Sequence, residues 1–143
     1  MDQIAKQERS RKRIEIILET AEKILLEDGI DQITIANISN RSGLKRTSTY
    51  KFFQTPEAIK SMLISNYLNM CALDFEEKTS NINTSEPSVV VMRSVEILFN
   101  FYSEYESAQK LLLSSSVILP AEKEPFHILS SKIQSFVEMN ISL

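Results

Sequence analysis

The chain has 143 residues, of which 43% are hydrophobic and 24% charged, proportions that fit an ordinary globular domain and exclude collagen-like and intrinsically disordered chains. Two glycines and four prolines are too few for the turns of a hairpin-rich or sandwich protein, so an all-α fold is favoured. The net charge of −3 hides an asymmetry: residues 1–55 carry ten Lys and Arg against eight Asp and Glu, and residues 56–143 carry six against eleven. An anionic partner therefore belongs to the N-terminal part.

No run approaches the ~18–20 apolar residues of a membrane span, and the charged stretch 1–13 is not followed by the apolar core of a signal peptide. A cytoplasmic location is expected. Cys71 is the only cysteine and His127 the only histidine. An internal disulfide, a zinc site, a Ser-His-Asp triad and an HExxH site are thus excluded, and no metal or cofactor is expected. Glu76 and Glu77 are adjacent and do not share a helix face, so no acid/base pair is suggested and an enzyme is not expected.

In chain order, Ile14, Ile17, Leu18, Ala21, Ile24 and Leu25 follow the i, i+3, i+4, i+7 rule of an amphipathic helix. Gly29 stands where a left-handed residue would end it. The basic cluster Lys6 to Arg13 before it reads equally as a flexible arm that touches phosphate or minor groove and as a simply solvated charged stretch. Thr34 is a helix N-cap, with Ile35 and Ile38 marking the inner face of a short helix to about Arg41. Ser42-Gly43-Leu44 then breaks the pattern, and a second short helix follows from about Lys45 to Phe53. This is helix-turn-helix spacing.

Thr55-Pro56-Glu57 opens helix 4 as N-cap, proline at the first position and acid in the first turn. Its predicted stripe is Ile59, Met62, Leu63, Tyr67, Met70 and Leu73. Residues 79–88 are polar and rich in helix breakers, and form the candidate linker. Val91, Val95, Leu98, Phe99 and Tyr102 predict helix 5, followed by a less regular segment through Leu111, Leu112, Ile118 and Leu119. A last helix carries Phe126 or Leu129, Ile133, Phe136 and Val137, preceded by Pro120 and Pro125. The expected architecture is all-α, with an N-terminal three-helix head (1–55) joined by a long helix 4 to a C-terminal helical bundle (56–143).

In a helix-turn-helix the second helix enters the DNA major groove while the first crosses the backbone. Here the second helix reads Lys45-Arg46-Thr47-Ser48-Thr49-Tyr50-Lys51-Phe52-Phe53. Gln32 through Pro56 contains Arg41, Lys45, Arg46 and Lys51 and no acid, which suits contact with phosphate. Arg46, Thr47 and Lys51 are the candidates for base edges, and Thr34, Lys45, Ser48 and Tyr50 for phosphates.

From about Arg11 to Leu63 the sequence resembles the N-terminal signature of the TetR-type (tetracycline-repressor-like) regulators. The residues that carry the likeness are Gly29, Thr34-Ile35 with Ile38, Gly43-Leu44, Tyr50 with Phe53, and the Thr55/Glu57/Ile59 opening of helix 4. Ser39 and Ser42 stand where the pattern has small apolar residues, Thr49 where it has Leu or Ile, Phe52 where it has His or Tyr, and Pro56 where it has Lys. The resemblance implies a homodimeric repressor that binds a palindromic double-stranded operator and releases it when a small-molecule effector enters the helical body. Members of that family continue past a seventh helix to a final pair that forms the dimer interface, so this chain reads as short of those helices.

Two other readings follow from these departures. A shortened interaction module would pair with a full-length regulator, and a ligand-binding helical protein would have lost operator recognition. Phe99, Phe101, Tyr102, Tyr105, Phe126 and His127 are candidates for an effector pocket as well as for core. Cys71 reads as a buried, inert thiol in preference to a redox sensor.

Overall fold

A computed structural model describes residues 1–84, 86–114 and 120–140. The described residues are all-α, as the composition predicts. The helices are α1 (Asp2–Asp28), α2 (Ile35–Ser42), α3 (Arg46–Tyr50), α4 (Pro56–Thr79), α5 (Pro87–Glu104), α6 (Glu106–Ser114) and α7 (Pro120–Asn140), with a 3-10 turn at Ile30–Gln32 after α1. Two compact units divide inside α4, at Leu63/Ile64.

In the first unit α1 packs on α2 and α2 on α3. Ile17, Ala21, Ile24 and Leu25 of α1 are buried, as are Ile33, Ile35, Ile38, Phe53, Ile59 and Leu63. Each such Ile, Leu or Phe contributes roughly 1.5–3 kcal/mol by leaving water. The caps are those the sequence dictates. Thr34 Oγ1 accepts the Asn37 N–H at 3.1 Å and Thr55 Oγ1 the Ala58 N–H at 3.2 Å, while Gly43 takes the left-handed conformation at φ 77°, ψ 0°. Gly29 differs from expectation: at φ 96°, ψ 166° it lies outside the left-handed helical well. Its N–H still bonds the carbonyls of Ile24 and Leu25, and the positive φ still favours glycine.

α1 begins at Asp2, so the expected flexible arm is instead regular helix. Residues 2–13 lack an apolar stripe but are rich in strong helix formers. Arg11 also ties this stretch together through Glu8 at 2.7 Å and Glu15 at 3.9 Å. α3 is shorter than its expected span. Beyond Tyr50 the chain tightens, with the N–H groups of Phe52 and Phe53 both directed at the Thr49 carbonyl.

The second unit holds two adjoining hydrophobic groups. Cys71 and Ala72 of α4 meet Phe101, Ala108 and Leu129, and Phe75 meets Val90, Ile97 and Phe136. Phe75 and Phe136 pack edge to face with centroids 5.7 Å apart. Asn140 fastens the end of α7 to the α4–α5 link, receiving the Thr84 N–H at 3.4 Å and donating to the Phe136 carbonyl at 2.9 Å.

The predicted stripes of α4 and α5 are partly out of phase with the buried faces. On α4, Met62, Met70 and Leu73 are exposed, whereas Ile59, Leu63, Cys71 and Phe75 are buried at i+4 steps together with Ser61, Ser65 and Ala72. Small side chains admit neighbouring helices closely, a signal that weighting by bulk misses. On α5 the buried positions are Val90, Ser94, Ile97 and Phe101; the predicted Val91 and Val95 each fall one residue after a buried position and Phe99 midway between two, and all three are exposed. This helix is apolar on two sides, so the pattern permits both phases. The segment expected to be irregular is helical over α6, while Ile118 and Leu119 lie outside the described residues. Pro125 falls inside α7 instead of preceding it; Pro120 takes the first position, where no N–H partner is needed.

Candidate nucleic-acid interface

The turn between α2 and α3 is held from both sides by hydroxyls. Ser39 Oγ donates to the Leu44 carbonyl at 2.6 Å, and Ser42 Oγ accepts the Leu44 N–H at 3.1 Å. Leu44 thus has both backbone polar groups satisfied across a turn that Gly43 makes possible. Both serines depart from the apolar residues of the family pattern, and their contribution depends on the turn geometry that brings Leu44 within reach of their hydroxyls.

Beyond this turn α3 presents its side chains outward. Lys45, Arg46, Thr47, Tyr50 and Lys51 are exposed and Ser48 is half-buried. Tyr50 has 49% of its surface accessible, enough for its hydroxyl to reach a partner outside the protein. Among the described residues no carboxylate pairs with Lys45, Arg46 or Lys51. Thr34 lies at the start of α2 with its hydroxyl accepting the cap bond, which leaves its O–H free to donate.

Arg41, the first cation of the acid-free run, is oriented differently. Its guanidinium pairs with Glu27 and, at 3.1 Å, with Asp28. It therefore clamps the last turn of α1, where two acids would otherwise oppose the helix dipole. Thr49 is the opposite extreme of α3, fully buried with its hydroxyl unpartnered. It acts as the inward anchor of the helix, in a place that suits an aliphatic side chain better.

α1 adds a surface that the linear sequence does not reveal. Lys6, Arg9, Ser10 and Arg13 line one groove with Asp2, Lys51 and Phe52, of about 480 Å³. Lys51 is thus shared between α3 and the first half of α1.

In the second unit the proposed pocket aromatics do not converge on one cavity. Phe101 is buried, with its ring 5.4 Å from Tyr102 and 4.9 Å from Tyr105. Phe99 is 69% exposed, and Phe126 and His127 lie on the outside of α7. Glu76 is engaged by Lys132 at 2.9 Å. Cys71 is buried, and burial is the main cause that pushes its thiol up to about 11, which suits an inert core thiol.

The sequence matches no protein-family model and no curated protein. Among solved structures it is similar to the candidate transcriptional regulator SCO7518 from Streptomyces coelicolor A3(2), with a TM-score of 0.67 at 17% identity. The match covers 92% of this chain and 76% of that one. The likeness shows a shared all-helical fold, and no helix among the described residues is long and apolar enough to cross a membrane.

Proposed function

We propose that this chain is a non-enzymatic, DNA-binding transcriptional regulator of the TetR type, acting in the cytoplasm as a homodimeric repressor on a palindromic operator. The observation that carries the reading is α3 with its two flanking residues: behind a turn held by Ser39 and Ser42, Lys45, Arg46 and Lys51 are exposed without a carboxylate partner among the described residues, while Arg41 is used within the fold. In this reading Arg46, Thr47 and Lys51 meet base edges, and Thr34, Lys45, Ser48 and Tyr50 meet phosphates. The head is the N-terminal unit, and the remainder is the body that pairs two heads and receives a small effector.

The dimer is supported by the outer side of α5. Val91, Met92, Val95 and Phe99 are 54–70% exposed and continuous, through Phe99, with exposed Leu112 and Leu113 of α6. An apolar surface of this kind on a small domain calls for a protein partner. Arg93 and Glu96, paired at 3.1 Å, lie on the same helix. Opposite charges one turn apart can exchange partners with an antiparallel second copy, so the occupant is another copy of this chain.

The test is binding of duplex DNA by fluorescence anisotropy across a salt series. Binding that weakens steeply and linearly in log salt supports phosphate contact by the head. A chain that stays unbound at 50 mM salt refutes the reading and returns weight to an interaction module.

A further inference from the structure

The first three turns of α1 carry a cost with no packing in return. Residues 1–9 and 11–13 are exposed, so nothing in the fold covers them. Lys6 and Arg9 stand three residues apart and Arg9 and Arg13 four apart, on one side of the helix, where like charges repel. Arg11 alone of this cluster is engaged by acids, Glu8 and Glu15, on a different face. The other face is left cationic, and it forms one wall of the groove whose opposite side is Lys51 and Phe52. Four cations meet one carboxylate, Asp2, in that groove. Arg9 Nε turns back to the Ala5 carbonyl at 3.3 Å, leaving its two terminal nitrogens to the groove.

Resting on the duplex-binding reading above, we propose that this groove is a second DNA contact. It grips the phosphate backbone beside the bases that α3 reads, with Lys6, Arg9 and Arg13 on one wall and Lys51 joining it to the recognition helix. The chemistry recognised is a row of phosphodiester anions. From Lys6 to Arg13 the helix rises about 10 Å, enough to reach more than one phosphate of a strand. Phe52, which lines the groove beside Lys51, adds an apolar surface that suits long cationic stems. Locally unfavourable charge crowding on an unpacked helix has its compensation in the bound state, where the anion neutralises it. Lys51 then holds backbone in addition to any base edge, which no reading of α3 alone assigns.

The test compares the full chain with a Lys6→Gln/Arg9→Gln/Arg13→Gln variant on the duplex that the wild type selects, over 50–200 mM salt. Gln is a good helix former at exposed positions, so the far-ultraviolet circular dichroism of the variant serves as the folding control. Three lost phosphate contacts lower the slope of log affinity against log salt by about 2.7, and flatten the loss between 50 and 200 mM by roughly 40-fold. The preferred sequence stays unchanged. Wild-type slope and affinity in the variant, while Arg46→Ala still alters sequence preference, would overturn the groove and leave the regulator reading standing. No duplex binding by the wild-type chain overturns both.

Discussion

Ser39 Oγ donates to the Leu44 carbonyl across the α2–α3 turn, 2.6 Å away, and this bond ties Leu44, just ahead of α3, back to α2. Ser39→Ala leaves that carbonyl without its partner in a half-buried position. We expect a loss of about 1–2 kcal/mol in urea denaturation, with a weaker operator complex because α3 is less well fixed. Unchanged stability and affinity would show that Gly43 and the core alone hold the turn.

Thr49 provides the converse. Its hydroxyl is buried without a partner, so Thr49→Val removes a desolvated polar atom at nearly constant shape and stabilises the chain by about 1 kcal/mol. Denaturant midpoints decide this, and a destabilised variant would mean that the hydroxyl has a bonding role in solution.

Arg41 and Lys45 are four residues apart and have different tasks. Arg41→Ala breaks the contacts to Glu27 and Asp28; these acids are more than half exposed, so the cost is about 0.5–1 kcal/mol of stability. DNA affinity of the folded variant changes little. Lys45→Ala does the reverse, leaving stability alone and weakening binding at every sequence. Equal effects on affinity would place Arg41 in the interface.

Phe99 is 69% exposed on the apolar stripe of α5 and joins it to Leu112 and Leu113. Phe99→Glu puts a charge into the proposed contact between copies without touching the core. Light scattering after size exclusion should show a dimer for the wild type and a monomer for the variant. A wild-type monomer, or a variant dimer, contradicts this face as the interface.

The Cys71 thiol, held at about 11 by burial against an ordinary 9.0, has about 100-fold less thiolate at pH 8 than in the unfolded chain. Alkylation by iodoacetamide should slow accordingly in the native protein. The folded state holds this proton more tightly than the unfolded one, so stability is unaffected below about pH 9 and falls as pH rises toward 11. Cys71→Ala removes that part of the decline, and a wild-type thiol that labels at the unfolded rate contradicts its burial.

The elements whose ends rest on local chemistry were legible in the sequence: Thr34, Gly43 and Thr55 act where their side chains or backbone freedom require. What was not legible depends on tertiary partners. The phase of α5 could not be read because Val90 and Val91 begin two apolar faces, and packing on Phe75 of α4 and Phe136 of α7 selects Val90. Ser39 and Ser42 looked like departures until the turn placed Leu44 between them. Arg41 looked like part of the DNA-facing run because its acids lie thirteen and fourteen residues earlier. The groove on α1 is invisible in one dimension, since Lys51 and Arg13 are far apart along the chain. That Lys45, Arg46, Thr47 and Tyr50 lie exposed could be anticipated from residue type and spacing, because an exposed face needs no tertiary partner.

Sequence-specific duplex binding through α3 is the central property proposed for this chain. The measurement is selection from a random duplex pool by the purified chain and by its Arg46→Ala variant, each sequenced after several rounds. We predict an enriched palindrome for the wild type and a relaxed preference at one position of each half-site for the variant, since a bidentate base contact is worth about 1–3 kcal/mol. A pool that shows no enrichment with the wild-type chain, or the same palindrome at the same stringency with Arg46→Ala, would contradict the assignment of α3 as the reading helix.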